Sequence, residues 1–284
     1  MKLYEDDRYT ERSFLVSNHS YIGCSVASEM TYHHFPSYNA CFDLGHASLS
    51  TSTASKVFIS HGHNDHCGGV VKHMWRRNSW GLPPAKYYVQ KADVPLLKAT
   101  IESACKMSRT RVPDDLIHAI EDEPVSIGSK LFVTAFRARH RIPCIGFLTS
   151  SHRQKLLSEF VGLPGDQIAA LKRSGTVITQ EILFPEIAYT GDTSVQIFDD
   201  YPDLLNARVL ITECTGLEES MDPKDVYKAG HIHIDHLCKL FAERDFTGEH
   251  LILGHFSARY DRRTCINLVR SRLPAHILEK TTII

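Results

Sequence analysis

The 284-residue sequence predicts an α/β or α+β chain forming one large domain or two small ones, on three observations. Short runs rich in β-branched and aromatic residues recur, stretches with helical spacing separate them, and no linker is long enough to part independent domains. With 43% hydrophobic and 23% charged residues, the composition excludes disorder and collagen-like chains. A chain this long buries roughly three quarters of its unfolded surface, so it needs neither disulfides nor a structural metal to hold a core.

Taken in order, the strands are expected at SFLV (13–16), CFDL (41–44), VFIS (57–60), YYV (87–89), LFVTAF (131–136), IAYT (187–190), VLIT (209–212) and LIL (251–253). Helical spacing marks 68–77, 91–107, 166–174, 234–243 and 261–272. Glycine and proline pairs at Gly81-Leu-Pro-Pro and Gly162-Leu-Pro-Gly165 read as turns between elements. The opening MKLYEDDRYTERSFLV carries acids before a short apolar run, unlike a signal or transit peptide. No stretch approaches the ~20 apolar residues of a membrane span. Eight cysteines without CxxC spacing fit reduced thiols in a cytoplasmic compartment.

Net charge is −1, but it is unevenly spread. Between Lys130 and Arg173 eight basic residues (Lys130, Arg137, Arg139, Arg141, Arg153, Lys155, Lys172 and Arg173) meet two acids, Glu159 and Asp166. From Gln180 to Asp225 the acids at 181, 186, 192, 199, 200, 203, 213, 218, 219, 222 and 225 meet only Arg208 and Lys224. This pattern reads as two solvated faces of opposite sign.

The sharpest feature is His61-Gly-His63-Asn-Asp65-His66, directly after the strand VFIS. In an irregular loop there, His61 and His63 point to one metal while Asp65 and His66 turn to a second. Four residues do not close two sites, and the chain supplies more at other strand ends. His140 follows LFVTAFRAR, Asp192 follows IAYT, and His255 follows LILG.

These segments resemble the metallo-β-lactamase-fold hydrolases and, within them, the short plant-type form of tRNase Z (ribonuclease Z). The likeness covers nearly the whole chain. It rests on FDLG (42–45), SHGHNDHCGG (60–69), GLPPAKYYV (81–89), HRIPCIGF (140–147), GLPGDQIAALKRSG (162–175), YTGDTS (189–194), ITECTG (211–216), GHIHI (230–234) and HFSARY (255–260). HxHxDH marks the superfamily, and the last segments in this order discriminate within it.

The resemblance implies a four-layer αββα sandwich over residues 1–284, with the metal site at one edge between the sheets. It implies two Zn²⁺ or Mn²⁺ ions per chain, one held by His61, His63, His140 and Asp192, the other by Asp65, His66 and His255 with Asp192 bridging. The function it implies is a cytoplasmic endoribonuclease that removes 3′ trailers from precursor tRNA. A hydroxide bridging the metals attacks the phosphodiester, and Asp65 orients that hydroxide or takes its proton. The leaving ribose oxygen needs a proton donor, for which His231 paired with Glu213 fits the family motif. His233 and His236 are nearby alternatives, and a small hydroxyl residue commonly stands in the family where His233 stands here. A reduced tRNA-binding arm falls within 148–180, with Lys172 and Arg173 as phosphate contacts. Arg259, Arg262 and Arg263 add basic groups beside His255, and Phe147 and Tyr260 are candidates to stack on bases although core packing suits them better. The family comparison also implies a homodimer, for which Val70, Val71, Met74 and Trp75 are interface or core residues. The alternative reading keeps fold and metals but acts on small substrates, as a phosphodiesterase, thioesterase or lactonase. A catalytically silent RNA-binding protein is disfavoured because every ligand position is filled.

Overall fold

In the computed structural model the described residues are 7–284 apart from 18, 121, 122, 129 and 219. The first six residues of the acidic opening, and Glu219 of the acidic run, lie outside them. One sheet runs β1 (Arg12–Val16), β2 (His19–Ala27), β3 (Met30–Phe35), β4 (Ala40–Phe42), β5 (Lys56–Phe58), β6 (Lys86–Val89) and β7 (Ile117–Ala119), paired in that order. The other runs β8 (Val125–Ser126), β9 (Leu131–Ala138), β10 (Cys144–Leu156), β11 (Thr179–Tyr189), β12 (Val209–Glu213) and β13 (His250–Gly254). β14 (Phe256–Ser257) crosses back to β2, and β15 (Thr281–Ile283) lies at the far edge beside β13. Each sheet begins antiparallel and turns parallel, at β4 in the first and β11 in the second.

The helices are α1 (Asn64–Cys67), α2 (Val70–Ser79), α3 (Val94–Ser108), α4 (Gly165–Arg173), α5 (Ile197–Asp200), α6 (Pro223–Lys228), α7 (Ile234–Glu243), α8 (Arg262–Arg272) and α9 (Ala275–Leu278). Val70 and Met74 of α2 and Ile101 of α3 pack on Val57 and Tyr87 of the first sheet. On the outer face of the second sheet, Leu237 and Phe241 of α7 and Val269 of α8 pack against Leu210 and Leu251. Between the sheets lie Phe42, Phe58, Phe147, Ile187, Ile211 and Ile252. Helix, sheet, sheet and helix therefore form four layers, as the fold class expected.

Several expectations change. Val70 and Met74 belong to the core, so neither is an interface residue, and Val71 packs against the same cluster while Trp75 is exposed. Phe147 and Tyr260 are buried and cannot stack on bases. The strand expected over 41–44 stops at Phe42, because Asp43 takes the left-handed region at φ 55°. Within the acidic run, Asp199 and Asp200 pair with Arg244 and Arg139, and Glu186 takes Arg153 and Arg208, while Glu181, Asp203, Glu218, Asp222 and Asp225 are exposed.

The long hairpin of β10 and β11 pairs as far as Leu156 with Thr179, and α4 sits in its connection with no buried residue. The hairpin tip thus carries Lys155, Lys172 and Arg173 into solvent. No helix among the described residues is long and apolar enough to cross a membrane.

Candidate metal centre

Parallel strands deliver their C-terminal ends to the same edge, which is where loops carrying functional groups gather in open sheets. β5 leads through Ser60 to His61 and His63, and Asp65 and His66 lie on the single turn of α1 rather than in an irregular loop. β9 ends two residues before His140. Asp192 follows β11 by three residues, Glu213 closes β12, and His255 follows β13 directly, at φ 58°. Gly45 lets the chain pass behind this turn, since a Cβ there would stand 1.8 Å from the Asp65 carbonyl oxygen.

Two sets of donor atoms converge. His61 Nε2 lies 2.9 Å from His63 Nδ1 and 3.7 Å from Asp192 Oδ2, and His140 Nε2 lies 3.4 Å from His63 Nδ1. In the other set, His66 Nε2 is 3.2 Å from His255 Nε2, 3.5 Å from Asp65 Oδ2 and 3.4 Å from Asp192 Oδ1. His255 Nε2 is 3.4 Å from both Asp65 Oδ2 and Asp192 Oδ1. A tetrahedral cation with ligands at ~2.0–2.1 Å sets them about 3.3 Å apart, the spacing seen in both sets. Asp192 offers one oxygen to each.

The opposite ring nitrogens decide which atoms face inward. His66 Nδ1 donates to Asp43 at 2.7 Å, and His140 Nδ1 donates to the Gly230 carbonyl at 3.1 Å. Ser60 Oγ donates to Asp43 Oδ2 at 2.8 Å, leaving its lone pair for His61 Nδ1 at 2.9 Å. Asp43 also accepts from the Ser60 N–H at 2.6 Å and from the Tyr189 hydroxyl. In the metal-ligating tautomer each Nε2 is then a lone pair aimed at its neighbours, an arrangement that a cation relieves. Burial pushes the His61 imidazole down to about 2, so it stays neutral. His66 is the reverse case: against the cost of burial, Asp192 and Asp43 raise its affinity for positive charge. The donor set fits a metal cofactor.

Beside these sets, Glu213 Oε1 accepts from His231 Nδ1 at 2.9 Å and from the Thr193 N–H at 2.8 Å. Its Oε2 accepts from Thr215 Oγ1 at 2.6 Å and the Ile232 N–H at 3.2 Å. Although Asp192, Glu213, His231 and His255 also converge, these four hydrogen bonds occupy the Glu213 carboxylate, which argues against its ligating a metal. Burial opposes a charge on His231, yet Glu213 raises its pKa to about 9, so the ring is protonated at neutral pH. With Nδ1 on Glu213, Nε2 is its free edge. His63, Asp65, Arg141, Asp192, His231 and Arg259 line a cavity of about 610 Å³.

No family model matches the chain. Among curated proteins it is 33% identical to tRNase Z TRZ1 of Arabidopsis thaliana over 240 residues, 84% of this chain and 85% of the relative. It is 32% identical to tRNase Z TRZ2, chloroplastic, of the same plant over 268 residues, 91% of this chain and 74% of that one. The chain belongs to the tRNase Z family. Its fold matches the metallo-β-lactamase-fold protein YhfI of Bacillus subtilis at a TM-score of 0.56 and 18% identity, over 90% of this chain and 88% of the other.

Within this family chain, all seven expected ligand residues reach one edge, and Glu213 meets His231 there. His233 sits elsewhere: it is buried, caps α7 by accepting from the Asp235 N–H at 3.2 Å, and donates to the Glu218 carbonyl at 3.2 Å. An imidazole thus performs here the capping that small hydroxyl and carboxylate side chains most often provide. His236 accepts from the His233 N–H and completes that cap. Arg259 lines the cavity, whereas Arg262 bonds the Ile283 carbonyl. Asp43, Ser60 and Thr215 also belong to the site without any signal of their own in the sequence, and Arg141, one of the basic cluster, lines the cavity; all four stand within the motifs quoted above.

Proposed function

We propose that the chain is a metal-dependent endoribonuclease that removes 3′ trailers from precursor tRNA, leaving a 3′ hydroxyl on the tRNA and a 5′ phosphate on the trailer. The observation that carries this reading is the conjunction, at the wall of one cavity reached by His63, Asp65, Asp192 and His255, of two donor sets sharing Asp192 with a cationic His231 beside them. His61, His63, His140 and Asp192 would hold one Zn²⁺, and Asp65, His66, His255 and Asp192 a second, with Mn²⁺ as a substitute. Bound divalent cations supply Lewis acidity that neutralises charge building on the phosphodiester and lowers the pKa of water.

The side chains do the rest. Asp65 is held anionic against its burial by His255 and His66, and the Ser28 N–H fixes its Oδ2 at 2.8 Å. It accepts the proton of the attacking water. Arg141 and Arg259 at the cavity wall pair with phosphates flanking the cut. His231, aimed by Glu213, hands its Nε2 proton to the leaving ribose oxygen.

The exposed tip of the β10–β11 hairpin with α4 supports the reading of a short arm within 148–180 in a single 1–284 domain, gripping tRNA phosphates through Lys172 and Arg173. Free cysteines throughout support a reducing, cytoplasmic compartment. Exposed Trp75 and Trp80 support a homodimer, which sedimentation at micromolar concentration tests; a ~32 kDa species ends that reading. The activity itself is tested by incubating wild-type and His66→Ala proteins, with metal restored, with a precursor tRNA. Trailer removal by the wild type alone is expected.

A further inference from the structure

We propose that Thr215 is a positioning residue that ties the ligand His255 to the Glu213–His231 pair, fixing the tautomer of His255. The inference rests on the metal centre proposed above. Thr215 is buried at the junction of three functional groups. Its Oγ1 lies 2.6 Å from Glu213 Oε2, 3.1 Å from His255 Nδ1, 3.1 Å from the His255 carbonyl oxygen and 3.3 Å from His231 Nδ1.

A hydroxyl has one proton to give and two lone pairs. The carboxylate is the shortest and the only charged acceptor in reach, so the proton goes to Glu213. His231 Nδ1 has its own shorter bond to Glu213 at 2.9 Å. Oγ1 is therefore left as the acceptor for His255, whose Nδ1 must carry the hydrogen. His255 Nε2 is then a lone pair, and it is this atom that stands 3.2 Å from His66 Nε2 and 3.4 Å from Asp65 and Asp192. Hydrogen-bond polarity thus runs His255 to Thr215 to Glu213. It parallels His61 to Ser60 to Asp43 on the other side of the centre. The carboxylate that aims the proton donor also sets, through one hydroxyl, which nitrogen His255 offers to a metal.

The test is Zn²⁺ titration of metal-free wild-type, Thr215→Val and Thr215→Ser proteins by calorimetry, together with two-bond ¹H–¹⁵N spectra of the histidine rings. Thr215→Val keeps the shape and loses the hydroxyl. The expected result is a second Zn²⁺ bound tenfold or more weakly than in wild type, the first unchanged, and wild-type behaviour regained in Thr215→Ser. Unchanged affinity for both ions in Thr215→Val overturns the proposal. If Thr215→Val does not fold, the wild-type spectrum decides alone: Zn²⁺-loaded His255 protonated on Nδ1 upholds it, and metal on Nδ1 overturns it. A wild type that binds no Zn²⁺ at all overturns the metal centre itself, a different result from two ions bound without regard to Thr215.

Discussion

Replacing Glu213 by glutamine keeps the shape of the side chain and removes the charge that sets the protonation of His231. Burial and Arg141 both favour the neutral ring, and Glu213 is the largest force holding it at about 9. Without that carboxylate the ring returns to its ordinary 6.5 or below. At about 1.4 kcal/mol per unit, the difference is roughly 3 kcal/mol of preference for the charged form. At pH 7.5 the protonated fraction falls from nearly complete to about one tenth, so trailer removal slows roughly tenfold if proton donation limits the rate. The sign is fixed by the role: an acid works below its pKa, so activity falls as pH rises through it. Profiles of kcat/KM against pH should show an alkaline limb near 9 in wild type, displaced below about 7 in Glu213→Gln, with activity largely regained at pH 6. An alkaline limb that stays near 9 in the variant refutes the assignment of His231 as proton donor.

Further outcomes follow from the same geometry. Gly45→Ala drives a methyl group into the Asp65 backbone, and overpacking of this kind costs about 1–3 kcal/mol; thermal unfolding and metal content should fall together. Acid should release metal, because protons compete for His66, where Asp192 and Asp43 favour positive charge, while His61 stays neutral down to about 2; metal retained after dialysis at pH 4 contradicts this. The double change Lys172→Gln and Arg173→Gln should weaken tRNA binding and lower the slope of log K against log salt by about 1–2. Hydrolysis of bis-nitrophenyl phosphate by the same variant should be unchanged.

The ligands were legible because metal chemistry demands rare residue types at short spacing after strands, as at 61–66. Partners that orient those ligands were not. Asp43, Ser60 and Thr215 matter through contacts brought together from different strands, and neither charge nor periodicity marks a serine as a relay between His61 and Asp43. β12 and β13, buried on both faces, gave continuous apolar runs that read as strands. β2 and β3 were missed because serine, threonine and histidine interrupt them, yet these polar residues are inside: His33 bonds the Tyr21 hydroxyl at 2.7 Å and Ser25 lies 3.1 Å from Thr31. β10 begins apolar between the sheets and ends as SSHRQKL in an exposed hairpin, so one strand carries two patterns. His233 resembled a catalytic histidine in sequence because a helix cap and a proton donor draw on the same polar residues.

Trailer removal is decided by mapping the product ends of a precursor tRNA with a 3′ trailer to the nucleotide, using the metal-loaded wild-type protein. A cut immediately after the discriminator base, leaving a 3′ hydroxyl and a 5′ phosphate, is the expected result. An intact precursor beside rapid hydrolysis of bis-nitrophenyl phosphate would contradict it and leave a metal-dependent hydrolase of small substrates.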